Sequence, residues 1–205
     1  MRKYLIELLG TFVLVLTVGL TGNPIAIGAI LTVLVYIGYN ISGAHYNPAI
    51  TAAVFIRKRI QFRDASIYIL FQLGGAFLAA LVYKILSGST FTLSPGNNIP
   101  ALTAFFVEVL FTFVLGFVIL IVATHKKLEG NSFYGLAIGL TIIGLAFAGG
   151  KISGGAFNPA VGLGPIFFDT FTGGESIKNA WLYLTGPTMG GIFAGLFFNY
   201  INNEG

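Results

Sequence analysis

Cysteine is absent from the 205 residues, so neither a disulfide nor a thiolate metal site can form, and nothing marks a redox compartment. Charge is scarce as well. Only 9% of the residues are Asp, Glu, Lys or Arg, against ~25% in ordinary soluble domains. The two histidines and seven acidic residues form no cluster with metal-ligand spacing. No nucleophile–base pair and no phosphate-cradling loop is present either. An enzyme, a cofactor and a bound metal are therefore not expected. The net charge of +4 sits in short loops, which makes it a topology signal and not a nucleic-acid footprint.

What the chain has is apolar length. Hydrophobic residues make up 56% of it, and its 28 glycines are about twice the usual share, which suits closely packed transmembrane helices. Apolar runs predict spans over 4–20, 25–41, 65–86, 102–124, 133–149 and 179–201. Glu7 inside the first run, and the lack of a small-residue cleavage site, argue for a retained span and against a removable signal. An uncharged linker over 87–100 joins two halves, 1–86 and 101–202, within a single transmembrane domain.

Each half carries one copy of a nine-residue frame, S-G-[AG]-x-[YF]-N-P-A-[IV]. The first copy runs from Ser42 to Ile50 and the second from Ser153 to Val161. Asn47-Pro48-Ala49 and Asn158-Pro159-Ala160 read as helix starts, with Asn as N-cap and Pro at the first helical position. The apolar stretches that follow, 50–56 and 161–168, are too short to cross a ~30 Å hydrocarbon core. Half-helices beside glycine-rich backbone are tolerated at membrane depth only inside protein or along a water-filled cavity. The repeat points to a pore or a binding site.

Three spans per half force the two repeats into opposite orientations. With the N-terminus inside, the inner loops hold Arg2, Lys3, Arg57, Lys58, Arg59, Arg63, Lys126 and Lys127, whereas the outer side holds Lys84, Lys151 and Lys178. Eight against three is a positive-inside bias, and it predicts a multi-pass cell-membrane protein with both termini cytoplasmic. The half-helices then dip in from opposite sides and meet N-terminus to N-terminus. Each end contributes about half a positive charge, and the two Asn amides add donors.

The paired Asn-Pro-Ala motifs resemble those of the major intrinsic protein (aquaporin) family. So do Glu7-x-x-x-Thr11-Phe12, its echo Glu108-x-x-x-Thr112-Phe113, and Trp181-x-Tyr183-x-x-Gly186-Pro187. The likeness runs from Glu7 to Tyr200. It implies an all-α membrane fold with six transmembrane helices and two re-entrant half-helices, one pore per subunit, and a homotetramer surrounded by lipid. It also implies a narrow outer constriction of four residues, one of them usually an Arg three places after the second Asn. Here that place is Val161, and the other three fall on Ile27, Ala146 and Gly155. Water-selective members resemble Phe, His and Arg there. The present set is smaller, apolar and uncharged, which predicts a wider constriction. Gly162 stands where glycerol-conducting members typically carry Asp, a second departure.

Glu7 and Glu108 are intramembrane carboxylates, functional candidates by default. Their symmetry and the family pattern favour a framework role, holding loop N–H groups, over proton coupling. His45 reads as a hydrogen-bonded loop histidine ahead of a proton relay. Lys151 reads as a snorkelling surface lysine ahead of a vestibule cation. The function expected is a passive channel for water or small uncharged solutes such as glycerol, urea, ammonia or metalloid acids. Two rivals remain: an ion-coupled secondary transporter, because inverted repeats with broken helices also build those, and a non-conducting structural membrane protein.

Overall fold

The computed structural model describes residues 1–202, and helices dominate them, with no strand among the described residues. The helices are α1 (Arg2–Thr21), α2 (Pro24–Ser42), α3 (Pro48–Ile56), α4 (Phe62–Ser87), α5 (Ala101–Thr124), α6 (Tyr134–Ser153), α7 (Pro159–Phe171) and α8 (Ala180–Ile201). Six are long and two, α3 and α7, are short, as expected. The long helices run further toward the motifs than their apolar runs indicated: α6 continues through Gly149, Gly150 and Lys151 to Ser153. Left-handed glycines stop them, Gly43 after α2 (φ 88°) and Gly154 after α6 (φ 94°), a conformation that costs glycine little.

Five of the long helices, α1, α2, α4, α5 and α6, are apolar enough by themselves to cross a membrane. The 22-residue α8 matches them in length, but Gly186, Pro187, Gly190, Gly191 and Gly195 dilute its hydropathy. Its glycines are there for packing. Gly190 lies on the α5 backbone at Val109 and Phe113, and Gly191 on the α3 backbone at Ala49.

The two halves repeat their contacts. The most extensive helix pairs are α5 with α8 and α1 with α4, and each half-helix packs on the last helix of the other half, α3 on α8 and α7 on α4. The Tyr68 hydroxyl donates to the Ser42 carbonyl at 2.7 Å, and that of Tyr183 to the Ser153 carbonyl at 2.7 Å. Between the halves α2 crosses α6 at Gly28 and Gly139. Large apolar side chains point outward along the spans, among them Leu70 (67% exposed), Ile85 (71%) and Phe106 (61%), a surface that only lipid or another subunit would cover well.

Candidate functional site

The chain segments leading into Asn47 and Asn158 are strained, and a buried carboxylate holds each one. Tyr46 (φ 49°) and Phe157 (φ 46°) lie in the left-handed region, as does Ala44 (φ 53°). For a residue with a side chain that conformation costs roughly 1–2 kcal/mol. Glu7 accepts from the Ser42 hydroxyl (2.7 Å), the His45 N–H (2.9 Å), the Tyr46 N–H (2.7 Å) and the Gln72 amide (2.8 Å). Glu108 accepts from the Ser153 hydroxyl (2.7 Å), the Ala156 N–H (3.0 Å) and the Phe157 N–H (2.7 Å). Both carboxylates are wholly buried, so these bonds replace the water they have lost. Pro187 occupies the place that matches Gln72, and Glu108 has no fourth donor among the described residues.

Asn47 and Asn158 each do two things. Their side-chain oxygens cap the short helices, accepting from the Ala49 N–H (2.8 Å) and the Ala160 N–H (2.9 Å). Their amide nitrogens reach across to the opposite loop: Asn47 donates to the Phe157 carbonyl (2.9 Å) and Asn158 to the Tyr46 carbonyl (2.9 Å). Pro48, Ala49, Pro159 and Ala160 are buried in the first turns behind them. An Asn amide carries two N–H groups, and the crossing bond uses one. Both asparagines also line a cavity.

That cavity, about 420 Å³, has Ile27 from α2, Ala146 from α6, Gly155 from the second loop and Val161 from α7 in its wall. Sequence reasoning singled out all four. The wall also contains Leu93, Phe147 and Lys151, which were not assigned to it. Leu93 comes from the linker, which folds back onto α6 through a bond from the Gly96 N–H to the Ile152 carbonyl (3.0 Å). A second cavity of about 900 Å³ lies among the basic loops, with Lys3, Arg59, Lys126, Asp64 and Glu129 in its wall. Tyr39, Gly43, His45, Ile119 and Ala123 belong to both walls, so the two cavities adjoin.

His45 stands at that junction. Its Nδ1 lies 3.1 Å from the Thr51 hydroxyl, which accepts from the Gln72 amide (3.0 Å), and the same amide reaches Glu7. Gln72 and Thr51 escaped sequence reasoning. A lone amide in the apolar run Leu70-Phe71-Gln72-Leu73 was the available signal for the first, whereas Thr51 looks like any small helix residue. Among the described residues no three His, Asp or Glu side chains come together as metal ligands.

Comparison with known proteins agrees with this geometry. The family model described as "Major intrinsic protein" matches residues 1–198. The chain is 38% identical to "Glycerol uptake facilitator protein-like 6" of Lactiplantibacillus plantarum, over 100% of each chain. It is 33% identical to "Aquaporin NIP1-1" of Oryza sativa subsp. japonica, over 98% of this chain and 74% of that one. Among solved structures, the aquaglyceroporin from Plasmodium falciparum superposes with a TM-score of 0.88 at 24% identity, covering 98% of this chain and 96% of that one, and so shares the fold. Matched nearly end to end, the chain belongs to the major intrinsic protein family, and it is a membrane channel for water or small solutes rather than an enzyme.

Proposed function

We propose that the chain is a passive pore for small uncharged solutes whose outer constriction, Ile27, Ala146, Gly155 and Val161, is wide, apolar and free of charge. One observation carries this reading. These four residues share a single cavity wall with both capping asparagines, and none of the four has a polar side chain. A solute moving past them sheds part of its hydration and meets the free N–H groups of Asn47 and Asn158 (this use of half-helix dipoles in aquaporin-type pores is a general one). Glycerol, urea, ammonia and undissociated metalloid acids fit such a path, and water accompanies them. The basic cavity is its cytoplasmic mouth, in keeping with the Lys and Arg bias of the inner loops. The outward apolar side chains of the long helices suit a homotetramer in lipid.

Stopped-flow swelling of proteoliposomes with glycerol and urea tests the reading. Solute-driven swelling several-fold above empty vesicles supports it. Shrinkage by water flux alone, with both solutes excluded, contradicts the wide constriction.

A further inference from the structure

Among the described residues, the wall of the 420 Å³ cavity contains no Asp or Glu and a single Lys or Arg, Lys151. Its other ionisable neighbours are engaged or neutral. The Tyr46 hydroxyl donates to the Leu34 carbonyl (3.0 Å), the Tyr39 hydroxyl to the Ala123 carbonyl (2.8 Å), and His45 pairs with Thr51. Asp169, within α7, and Glu175, just after it, are absent from the wall. Lys151 itself is exposed and makes no ion pair among the described residues.

This lysine borders the cavity from the last turn of α6. The α6 residues in the wall are Ile138, Ile142, Ala146, Phe147, Gly150 and Lys151: the first two, Ala146 and Gly150 repeat every four residues along one stripe, and Phe147 and Lys151 lie one position round from it. Lys151 thus stands at the edge of the cavity, a little over one turn beyond the constriction residue Ala146. Its backbone is also pinned. The linker crosses this turn at Gly96, whose N–H is bonded to Ile152 and whose Cα packs on the Lys151 carbonyl. Lying in the last turn of α6, the ammonium is favoured there by the negative end of the helix dipole.

From this placement we infer that Lys151 is a specificity-determining residue, the charge filter of the outer mouth, which disfavours cations while leaving the constriction wide for neutral solutes. The assignment rests on the reading that this cavity is the conduction path. Its physical logic is a division of labour. An Arg at the position of Val161 would supply charge and a rigid fork of donors at the narrowest point. A lysine ten residues earlier supplies the charge from a flexible stem, without a planar fork to narrow the lumen. A low-dielectric wall carrying charge of one sign focuses the field, and such focusing changes local ion concentration by roughly 10–10³-fold. The basic cavity at the other end cannot do the same, because Asp64 and Glu129 stand among its cations.

Proteoliposomes made with the wild type, Lys151→Arg, Lys151→Met and Lys151→Glu test this, with potassium leak and water permeability measured on the same vesicles. Lys151→Glu is expected to leak potassium about tenfold faster than the wild type, with Lys151→Met between them and Lys151→Arg at the wild-type level. The spread should shrink in 1 M salt, where the Debye length falls to about 3 Å. Equal potassium leak in all four proteins, with water flux intact, overturns the role of Lys151 and leaves the pore standing. Absence of water flux in the wild type overturns both.

Discussion

Asn47 donates to the carbonyl of Phe157 across the junction of the two half-helices, at 2.9 Å. Asn158 returns an equivalent bond to Tyr46, so each motif is closed by the other. Neither half of the chain can finish its own loop.

Asn47→Ala should therefore cost more than a helix cap. Loss of the cap accounts for about 1 kcal/mol and loss of the crossing bond for about 1 more. Asn158→Ala should cost the same, because its bonds are the same. The paired substitution should depart from additivity by roughly 0.5 kcal/mol or more, since the two side chains brace adjoining backbone. Unfolding in detergent, arranged as a double-mutant cycle, measures the coupling.

Glu7 has four donors and Glu108 three, which ranks the substitutions around them. Gln72→Leu leaves Glu7 with the three donors that suffice in the other half, so it should cost about 2 kcal/mol and still yield folded protein. Glu7→Leu abandons two backbone N–H groups beside the left-handed Tyr46, and its cost should reach about 3–5 kcal/mol. The yield of monodisperse protein in detergent, and its melting temperature, separate the two. Equal behaviour of both variants would count against a framework role for Glu7.

Gly28 and Gly139 meet where α2 crosses α6. A Cβ built on either would lie 2.5 Å from the carbonyl oxygen of the other. Gly139→Ala gains up to ~1 kcal/mol in helix propensity but overpacks backbone against backbone, at a cost of roughly 1–3 kcal/mol. A net loss is expected. Gly144→Ala on the same helix has nothing within 4 Å of its new methyl and should be neutral or mildly stabilising. Melting temperatures of the two variants compare the effects within one helix.

Asp169 ties the linker to the far end of α7. The Ser176 hydroxyl (2.6 Å) and the Thr90 hydroxyl (2.7 Å) hold its carboxyl below the usual carboxylate range. A depressed folded value means that its contribution is complete above the unfolded value of about 3.9 and is lost as pH falls through the lower folded one. Protection of residues 87–100 from hydrogen exchange should be flat from neutral pH to about pH 5, then decline under acid. Asp169→Asn should weaken that protection at neutral pH and flatten its acid dependence.

Much of this architecture was legible in the chain. The duplicated frame located both half-helices and both caps, because Asn-Pro at a helix start has a local cause. Counting from those asparagines found Ile27, Ala146, Gly155 and Val161, which the fold gathers into one wall. Hydropathy gave the end of α6 less well, since the helix runs on past Gly149 through Gly150, Lys151 and Ser153, which are not apolar. Gln72 and Leu93 were missed, and Lys151 was ranked first as a snorkelling surface lysine, for a common reason. Each meets a segment distant in sequence: Glu7 for Gln72, the folded-back linker for Leu93, and Gly96 lying across α6 for Lys151. No local pattern encodes such contacts.

The most direct test of the proposed wide, uncharged constriction is stopped-flow permeability of proteoliposomes carrying the wild type or Val161→Arg, to water, glycerol and urea in parallel. An Arg at 161 adds a charge and a planar fork of donors beside Ile27, Ala146 and Gly155, in the wall that already holds Lys151. The wild type is expected to pass glycerol and urea. Val161→Arg should lower both by about tenfold or more while water flux falls much less. Exclusion of both solutes by the wild type, or identical permeability of the two proteins, would contradict the account.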